Sequence, residues 1–353
     1  MDPELLLDPE TKAESTAFKD FFSTDSRFQY EGLVGRGGFG TAHSVKYVDP
    51  KRPGLTRFLV KKSLNREDAE EMLDNEVLFL KKFKGAMHIV QFVDIKDNPL
   101  DKWEARWMVL EWISNGTLSQ FIGKAKKVGL SRLPNRTLWR FFLCLIRALN
   151  GIAWPSDHRD SETYLETPLK NEPPSDIEHG DMHGGNVLLA DFIPDGEHLF
   201  TPLLKVIDFG LSTEFPPEMM HSAGTAVERN LFDVGKLMVC LVTMERRSDV
   251  RHPTLRNNPL TTTIGKTQVQ TMANKIFEAQ YEWLDPDLRT LIALCLAMET
   301  QNRPSLHNLT HWLAKSVEVR DAKWYKDVAM ESDETVNTLC RDILFNAEVT
   351  VPN

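Results

Sequence analysis

The chain has 353 residues, enough for about two domains at roughly 150 residues each. Hydrophobic residues make up 41% and charged residues 26%, which excludes a disordered or fibrous chain. The net charge of −9 disfavours nonspecific nucleic-acid binding, and no apolar run approaches the ~18 residues that span a bilayer.

The amino end, MDPELLLDPETKAES, lacks the basic-then-apolar layout of a secretory signal. An intracellular protein, cytoplasmic or nuclear, with no nucleic-acid or membrane partner is expected. Residues 1–28 are charged and without a sustained period; Phe18, Phe21 and Phe22 are placed to dock locally, and the rest reads as a tail. Residues 29–62 read as strands and turns with glycine clusters, closing on the short β run FLVKK. Over 67–83, Met72, Leu73, Val77 and Leu80 fall at helical spacing. WMVLEWI (107–113) is strand-like, and from Leu138 the run LWRFFLCLIRALNGI reads as a long buried helix. Helical patterns recur at 231–243, 286–298 and 304–315.

Two polar stretches stand out. Residues 155–176, with Pro155, Pro168, Pro173 and Pro174, read as a loop. Residues 191–203 read as an extended hairpin turning at Asp195-Gly196. Cys144, Cys240 and Cys295 lie in apolar runs as core thiols, and with Cys340 they show no CxxC spacing. A strand-rich first third before a helical remainder predicts an α+β protein. Its small β-rich lobe is placed at 29–112, its larger helical lobe at 113–315 and a C-terminal tail at 316–353.

The chemistry concentrates in a few motifs. Gly35-Arg36-Gly37-Gly38-Phe39-Gly40 matches GxGxxG, where glycines let backbone amides approach phosphates. The alternating residues Thr41 to Val45 follow it, so the loop joins two strands and suits a lid over phosphates rather than a helix-capped pyrophosphate. Lys61 ends the strand Phe58-Leu59-Val60-Lys61, and a buried lysine there needs phosphate oxygens or a carboxylate. Glu76 supplies an acid on an otherwise apolar helix face; Lys62 is the rival, because strand alternation exchanges the two faces.

The stretch 177–189, IEHGDMHGGNVLL, packs two histidines, an acid and an asparagine into a glycine-rich loop before a strand. KVIDFGL (205–211) then gives a second strand ending in an acid. Asn186 and Asp208 are oxygen ligands suited to hard Mg²⁺, and Asp181 is left to take a hydroxyl proton. A transition-metal reading of His179 and His183 finds no further clustered ligand in the sequence.

In this order, over roughly 29–315, the motifs resemble those of the protein kinase superfamily. The resemblance implies a bilobal fold using ATP and Mg²⁺. It implies nucleotide contacts from Val34, Gly35, Arg36, Gly37, Gly38, Phe39, Gly40 and Ala42, from Lys61 with Glu76 as its ion-pair partner, and from Leu188. Backbone groups of Glu111 and Ile113 would meet adenine, with Leu110 as gatekeeper. Asp181 would be the base, and Asn186 with Asp208 the metal ligands. LIALCLAMETQNRP (291–304) resembles the Arg-Pro ending of the helical lobe, with Arg303.

Departures accompany the likeness. Gly180 stands where most regulated protein kinases carry Arg, and His183 replaces the Lys of serine/threonine kinases, as in aminoglycoside and choline phosphotransferases. Nineteen residues separate Asp208 from Glu228, with no Ala-Pro-Glu. Asn230 falls where a helix usually begins with Asp, and Leu59 where Ala usually lies under adenine. GKT at 265–267 lacks the glycine of a Walker loop. The leading expectation is a serine/threonine-type protein kinase acting on a protein substrate; the alternatives are a nucleotide-binding scaffold without turnover and a small-molecule phosphotransferase.

Overall fold

The computed structural model describes residues 9–48, 55–95, 98–102, 105–156, 163–194, 196–216, 224–247 and 259–346. The chain divides into two compact units, one of residues 1–84, 90–112 and 209–211, the other of 85–89, 113–208 and 212–353. The architecture is mixed α+β, with a small antiparallel sheet toward the amino end and a helical remainder.

In the first unit, β1 (Phe28–Arg36), β2 (Gly40–Val48), β3 (Leu55–Ser63) and β4 (Trp107–Glu111) form one sheet in that order, every pair antiparallel. The period of two sends neighbouring side chains to opposite faces. One face packs on α1 (Pro9–Ser23), with Val45, Val60 and Val109 meeting Phe18, Phe22 and Phe28 in a single core. The segment expected as an amino-terminal tail therefore carries a helix. Its buried side chains Thr11, Ser15, Phe18 and Phe22 recur at helical spacing, but half of them are polar, which hides the period from an apolar count. Helix α2 (Glu67–Lys82) starts with Glu67, Asp68 and Glu70 and ends with Lys81 and Lys82, a charge order that complements the helix dipole. It buries Ala69, Leu73, Glu76 and Leu80.

In the second unit, α3 (Leu118–Lys127), α4 (Asn135–Ala153), α5 (Ala226–Thr243), α6 (Pro286–Cys295), α7 (Leu306–Val319) and α8 (Asp333–Arg341) carry the core. Every residue of α4 is buried, including Arg136, Arg140 and Arg147. Thr117 and Thr225 open α3 and α5 with capping boxes, and Asp285 before Pro286 caps α6. Short antiparallel pairs join β5 (Ile177–Glu178) to β8 (Thr213–Glu214) and β6 (Val187–Leu189) to β7 (Leu204–Val206). The GKT tripeptide falls at the turn of the hairpin β9 (Leu260–Ile264) and β10 (Thr267–Thr271), with Gly265 at φ 62°.

Two further expectations need correction. The stretch from 316 is no tail over its described part. Helix α7 reaches Val319, and α8 with the following turn buries Val336, Cys340, Ile343 and Leu344. Glu331 accepts from the backbone N–H groups of Asn135 (2.7 Å) and Arg136 (3.0 Å). It thereby caps α4 from outside, where Pro134 offers no side-chain cap. Residues 191–203 do not form an extended hairpin: β6 and β7 pair, but their connection is a turn drawn inward, with His198 and Thr201 fully buried. Asp195 lies outside the described residues. Arg140 explains the inward pull, donating to the carbonyls of Gly196 (3.0 Å) and Glu197 (2.7 Å).

Candidate functional site

The candidate residues lie in both units. In the first, β1 and β2 pair Gly35 with Ala42 and Arg36 with Thr41, and the Gly37 N–H donates to the Gly40 carbonyl at 2.8 Å. The glycine motif is thus a tight strand–turn–strand, as its sequel of alternating residues implies. Gly40 has a packing reason: a Cβ there would lie 2.4 Å from the backbone oxygen of Lys62. Gly38 would meet nothing within 4 Å. Val34 and Phe39 are exposed, and Arg66 covers the turn, donating to the Gly38 carbonyl (2.8 Å) above the Phe39 ring.

The lysine alternatives separate cleanly. Lys61 lies opposite Ala42 and Met108, and its Nζ is ion-paired with the carboxylate of Glu76 on α2. Glu76 is 2% exposed and Lys61 24%. Lys62, on the other face, is buried and donates to Glu14 (3.1 Å), the Ser63 carbonyl (2.9 Å) and Asn65 (3.3 Å). Thr41 and His43 also reach Glu14. Burial works to raise the Glu14 carboxyl, but bonds from His43, Thr41 and Lys62 hold it down at about 2. Leu110, buried, pairs with Leu59, while Glu111 on β4 binds Gln91 through both backbone and carboxylate.

In the second unit the loop 179–186 is built around a buried imidazole. His179 Nδ1 accepts from the Asp181 N–H (3.2 Å), so Nε2 bears the proton and donates to the Ile207 carbonyl (3.1 Å). Burial keeps the ring below its ordinary pKa, in accord with this neutral tautomer. Gly180 sits at φ 81°, a left-handed conformation in which a side chain is strained. The Asn186 amide donates to both the Asp181 carbonyl (2.9 Å) and its Oδ2 (3.1 Å), which leaves the amide oxygen as the acceptor end. Asp181 is 43% exposed, and His183 Nε2 lies 3.5 Å from its Oδ2. Because His183 Nδ1 accepts from the Gly185 N–H, Nε2 carries the hydrogen facing that carboxylate.

The backbone of Ile207 donates to the Asn186 carbonyl at 3.0 Å and so holds the next residue, Asp208, beside the loop. Asp208 has φ 68°, a left-handed backbone typical of functional positions when the residue is not glycine. Leu188 is half-buried on β6, opposite Lys205, and Ile113 is half-buried after β4. His179 and His183 do not converge on a shared metal position: one is buried against a carbonyl, the other exposed. A cavity of ≈ 560 Å³ adjoins the loop, lined by Met182 and His183 and by the cations Lys236, Arg246 and Arg247.

Some supports are not evident from the motifs. Asn230, at the start of α5, accepts from the His179 N–H (3.0 Å) and donates to the Ile177 carbonyl (2.9 Å). Ser212 donates to the His179 carbonyl. Arg229 bonds Glu178 (2.7 Å) and the Gly224 carbonyl (2.6 Å) and stacks on Phe215. Arg303 donates to backbone carbonyls of Glu228 and Ala297 rather than to a carboxylate. The departure noted at Asn230 and the Arg-Pro ending at Arg303 mark two of these supports; nothing in the sequence singles out Ser212 or Arg229.

No protein-family model matches the chain. It is 26% identical over 276 residues to nuclear receptor-binding protein 2 of Mus musculus, covering 70% of this chain and 49% of that protein. A mitogen-activated protein kinase kinase kinase of Drosophila melanogaster matches at 25% over 194 residues, 55% of this chain and 14% of the relative. The receptor-like kinase TMK4 of Arabidopsis thaliana matches at 23% over 324 residues, 88% of this chain and 32% of the relative. The chain spans about half or less of the length of these curated relatives. The likeness reaches the protein kinase-like superfamily and nothing finer. Among the described residues no helix is long and apolar enough to cross a membrane.

Proposed function

We propose that the chain is a bilobal protein kinase-like phosphotransferase that binds ATP with Mg²⁺ and transfers the γ-phosphate to a serine or threonine hydroxyl of a protein. The observation that carries this reading is the loop 179–186. A neutral, buried His179 fixes the backbone of Asp181, and Asn186 holds that carboxylate from the other side. Asp181 is then an oriented, solvent-reachable base for a hydroxyl proton. The amide oxygen of Asn186 and the carboxylate of Asp208 are hard donors that fit Mg²⁺, which would neutralise charge on the phosphates. Lys61, oriented by Glu76, supplies the cation for phosphate oxygens, and the Gly35–Gly40 turn supplies backbone amides. The cations Lys236, Arg246 and Arg247 beside the loop favour a hydroxyl flanked by acidic residues.

The test is transfer of radiolabelled γ-phosphate to generic proteins by wild type and Asp181→Asn. The substitution keeps shape and removes basicity, so turnover is expected to fall roughly 10²- to 10⁴-fold, about 3 to 5 kcal/mol of barrier. Nucleotide affinity, read by thermal shift, is expected to hold. Equal turnover in both proteins would remove Asp181 from the chemistry.

We further propose that this activity needs no phosphorylation between Asp208 and Glu228. Loops ordered by phosphate use an arginine partner; position 180 is glycine, and Arg229 already fastens Gly224 to Glu178. Phosphatase treatment is expected to leave turnover unchanged, and its loss would refute the point. A second reading, a scaffold that carries out no transfer, is favoured by Leu59 lying opposite Leu110 and by a relative whose name gives binding of a nuclear receptor rather than catalysis. Nucleotide-dependent stabilisation with no turnover in any assay would select it.

A further inference from the structure

The two polar loops of the helical unit converge on a buried cluster that phosphoryl transfer does not use. His88 Nε2 and His198 Nε2 face each other at 3.1 Å, and the Cys144 thiol lies among them, all three ligating atoms within 4.8 Å of one another. His88 and His198 are fully buried and Cys144 is 2% exposed. His88 Nδ1 lies 2.7 Å from Glu166 Oε2, and the His88 N–H donates to the other carboxylate oxygen at 2.6 Å. With Nδ1 engaged by Glu166, His88 Nε2 is left facing His198 Nε2, and the two imidazoles share one hydrogen across that gap, which a metal ion bound by both would displace. A carboxylate behind a ligating imidazole is the usual orienting partner at a metal centre.

The scaffold around these groups is rigid and specific. Cys144 lies in mid-α4, with Arg140 one turn before it and Arg147 almost one turn after it. Arg147 makes two bonds to the Glu197 carboxylate (2.6 and 3.1 Å) and one to the Glu166 carbonyl (2.7 Å). Arg140 holds the carbonyls of Gly196 and Glu197, and both Arg136 and Arg140 stack on Phe200. One helix thus grips the loop of Glu166 and the loop of His198 on either side of its cysteine.

We propose that His88, Cys144 and His198 bind one Zn²⁺ ion, with Glu166 orienting His88 and water completing the fourth position. Zn–N bonds of about 2.0–2.1 Å in a tetrahedral site put two ligating nitrogens roughly 3.4 Å apart, close to the 3.1 Å between these imidazoles. Two imidazoles and one thiolate suit a borderline-soft ion and exclude Mg²⁺ or Ca²⁺, which take oxygen. Because the ligands come from α4, from the 191–203 loop and from the segment 85–89, the ion ties three distant stretches together. Its role is structural, and binding adds to folding stability by mass action.

The full chain, purified without a histidine tag and stripped with chelator, is titrated with Co²⁺ and then Zn²⁺. A thiolate-to-cobalt charge-transfer band saturating at one equivalent, bleached by one equivalent of Zn²⁺, is expected, with a rise in Tm on zinc loading. Cys144→Ser is expected to lose the band and the retained zinc, whereas Cys240→Ser, a buried thiol on α5, keeps both. A natively folded wild type with no band and no stoichiometric zinc overturns the proposal, as does a band that survives in Cys144→Ser. If Cys144→Ser fails to fold, the wild-type titration decides alone. Stoichiometric Cu⁺ retained against excess Zn²⁺ would overturn the identity of the metal.

Discussion

Lys61 and Lys62 are neighbours on one strand, each meets a glutamate from a helix, and they do different work. Lys62 faces α1 and is almost enclosed, with Glu14, Asn65 and a backbone carbonyl around its ammonium. Lys61 faces α2, pairs with a glutamate that is itself nearly inaccessible, and keeps about a quarter of its own surface open. The first arrangement closes a core; the second presents a cation whose position is set from behind. Residue type and sequence neighbourhood are the same for both. The face of the sheet decides, and it is a difference of one residue in strand phase.

The largest effect should come from Lys61. Lys61→Met is expected to cut phosphoryl transfer per folded molecule at least ~10²-fold, the usual cost of removing one preorganised cationic or hydrogen-bonding group. Lys62→Met should leave that rate near wild type. A reversed pattern would exchange the roles of the two faces. On the α1 side the readout is stability. Glu14→Gln weakens the bonds to Lys62, Thr41 and His43 and is expected to cost about 1–3 kcal/mol by denaturant unfolding. Combined with Lys62→Met, the losses should be less than additive, because the two residues share one contact. An additive result would uncouple the pair.

The smallest effect is the pH dependence. The Glu14 carboxyl, held at about 2 against an unfolded value of 4.5, contributes stability that is complete above pH 4.5 and lost as pH falls toward 2. Glu14→Gln should flatten that acid limb. An unchanged acid limb would mean that other carboxylates carry it.

The mixed α+β class, helices α2 and α4, strand β4 and the loop 179–186 are legible in the sequence because period and motif coincide there. Helix α1 is not, since its buried face pairs Phe18 and Phe22 with Thr11 and Ser15. The inward turn over 196–201 escapes for a related reason. Its polar sequence suits a surface ribbon, and only buried arginines on α4, several helical turns of a distant segment, draw it into the core. Strand phase at Lys61 needs the register with β2 and β4, which a single run of alternating residues leaves open. Cys144 looks like its neighbours in other apolar runs. The difference lies in the fold: the Cys144 thiol sits beside His88 and His198, whereas burial pushes the thiols of Cys295 and Cys340 up to about 12.

Asn230 carries one further consequence. Its amide gives a hydrogen to Ile177 and takes one from the His179 backbone, so only one orientation of the group satisfies both neighbours. A carboxylate in its place has no hydrogen for Ile177 and would set negative charge against that carbonyl. Asn230 is also electrically silent, and so is the neutral ring of His179 above it. These two groups at the foundation of the loop therefore carry no charge in this arrangement. In the proposed transfer, a pH–rate profile would then report the reacting groups rather than this pair.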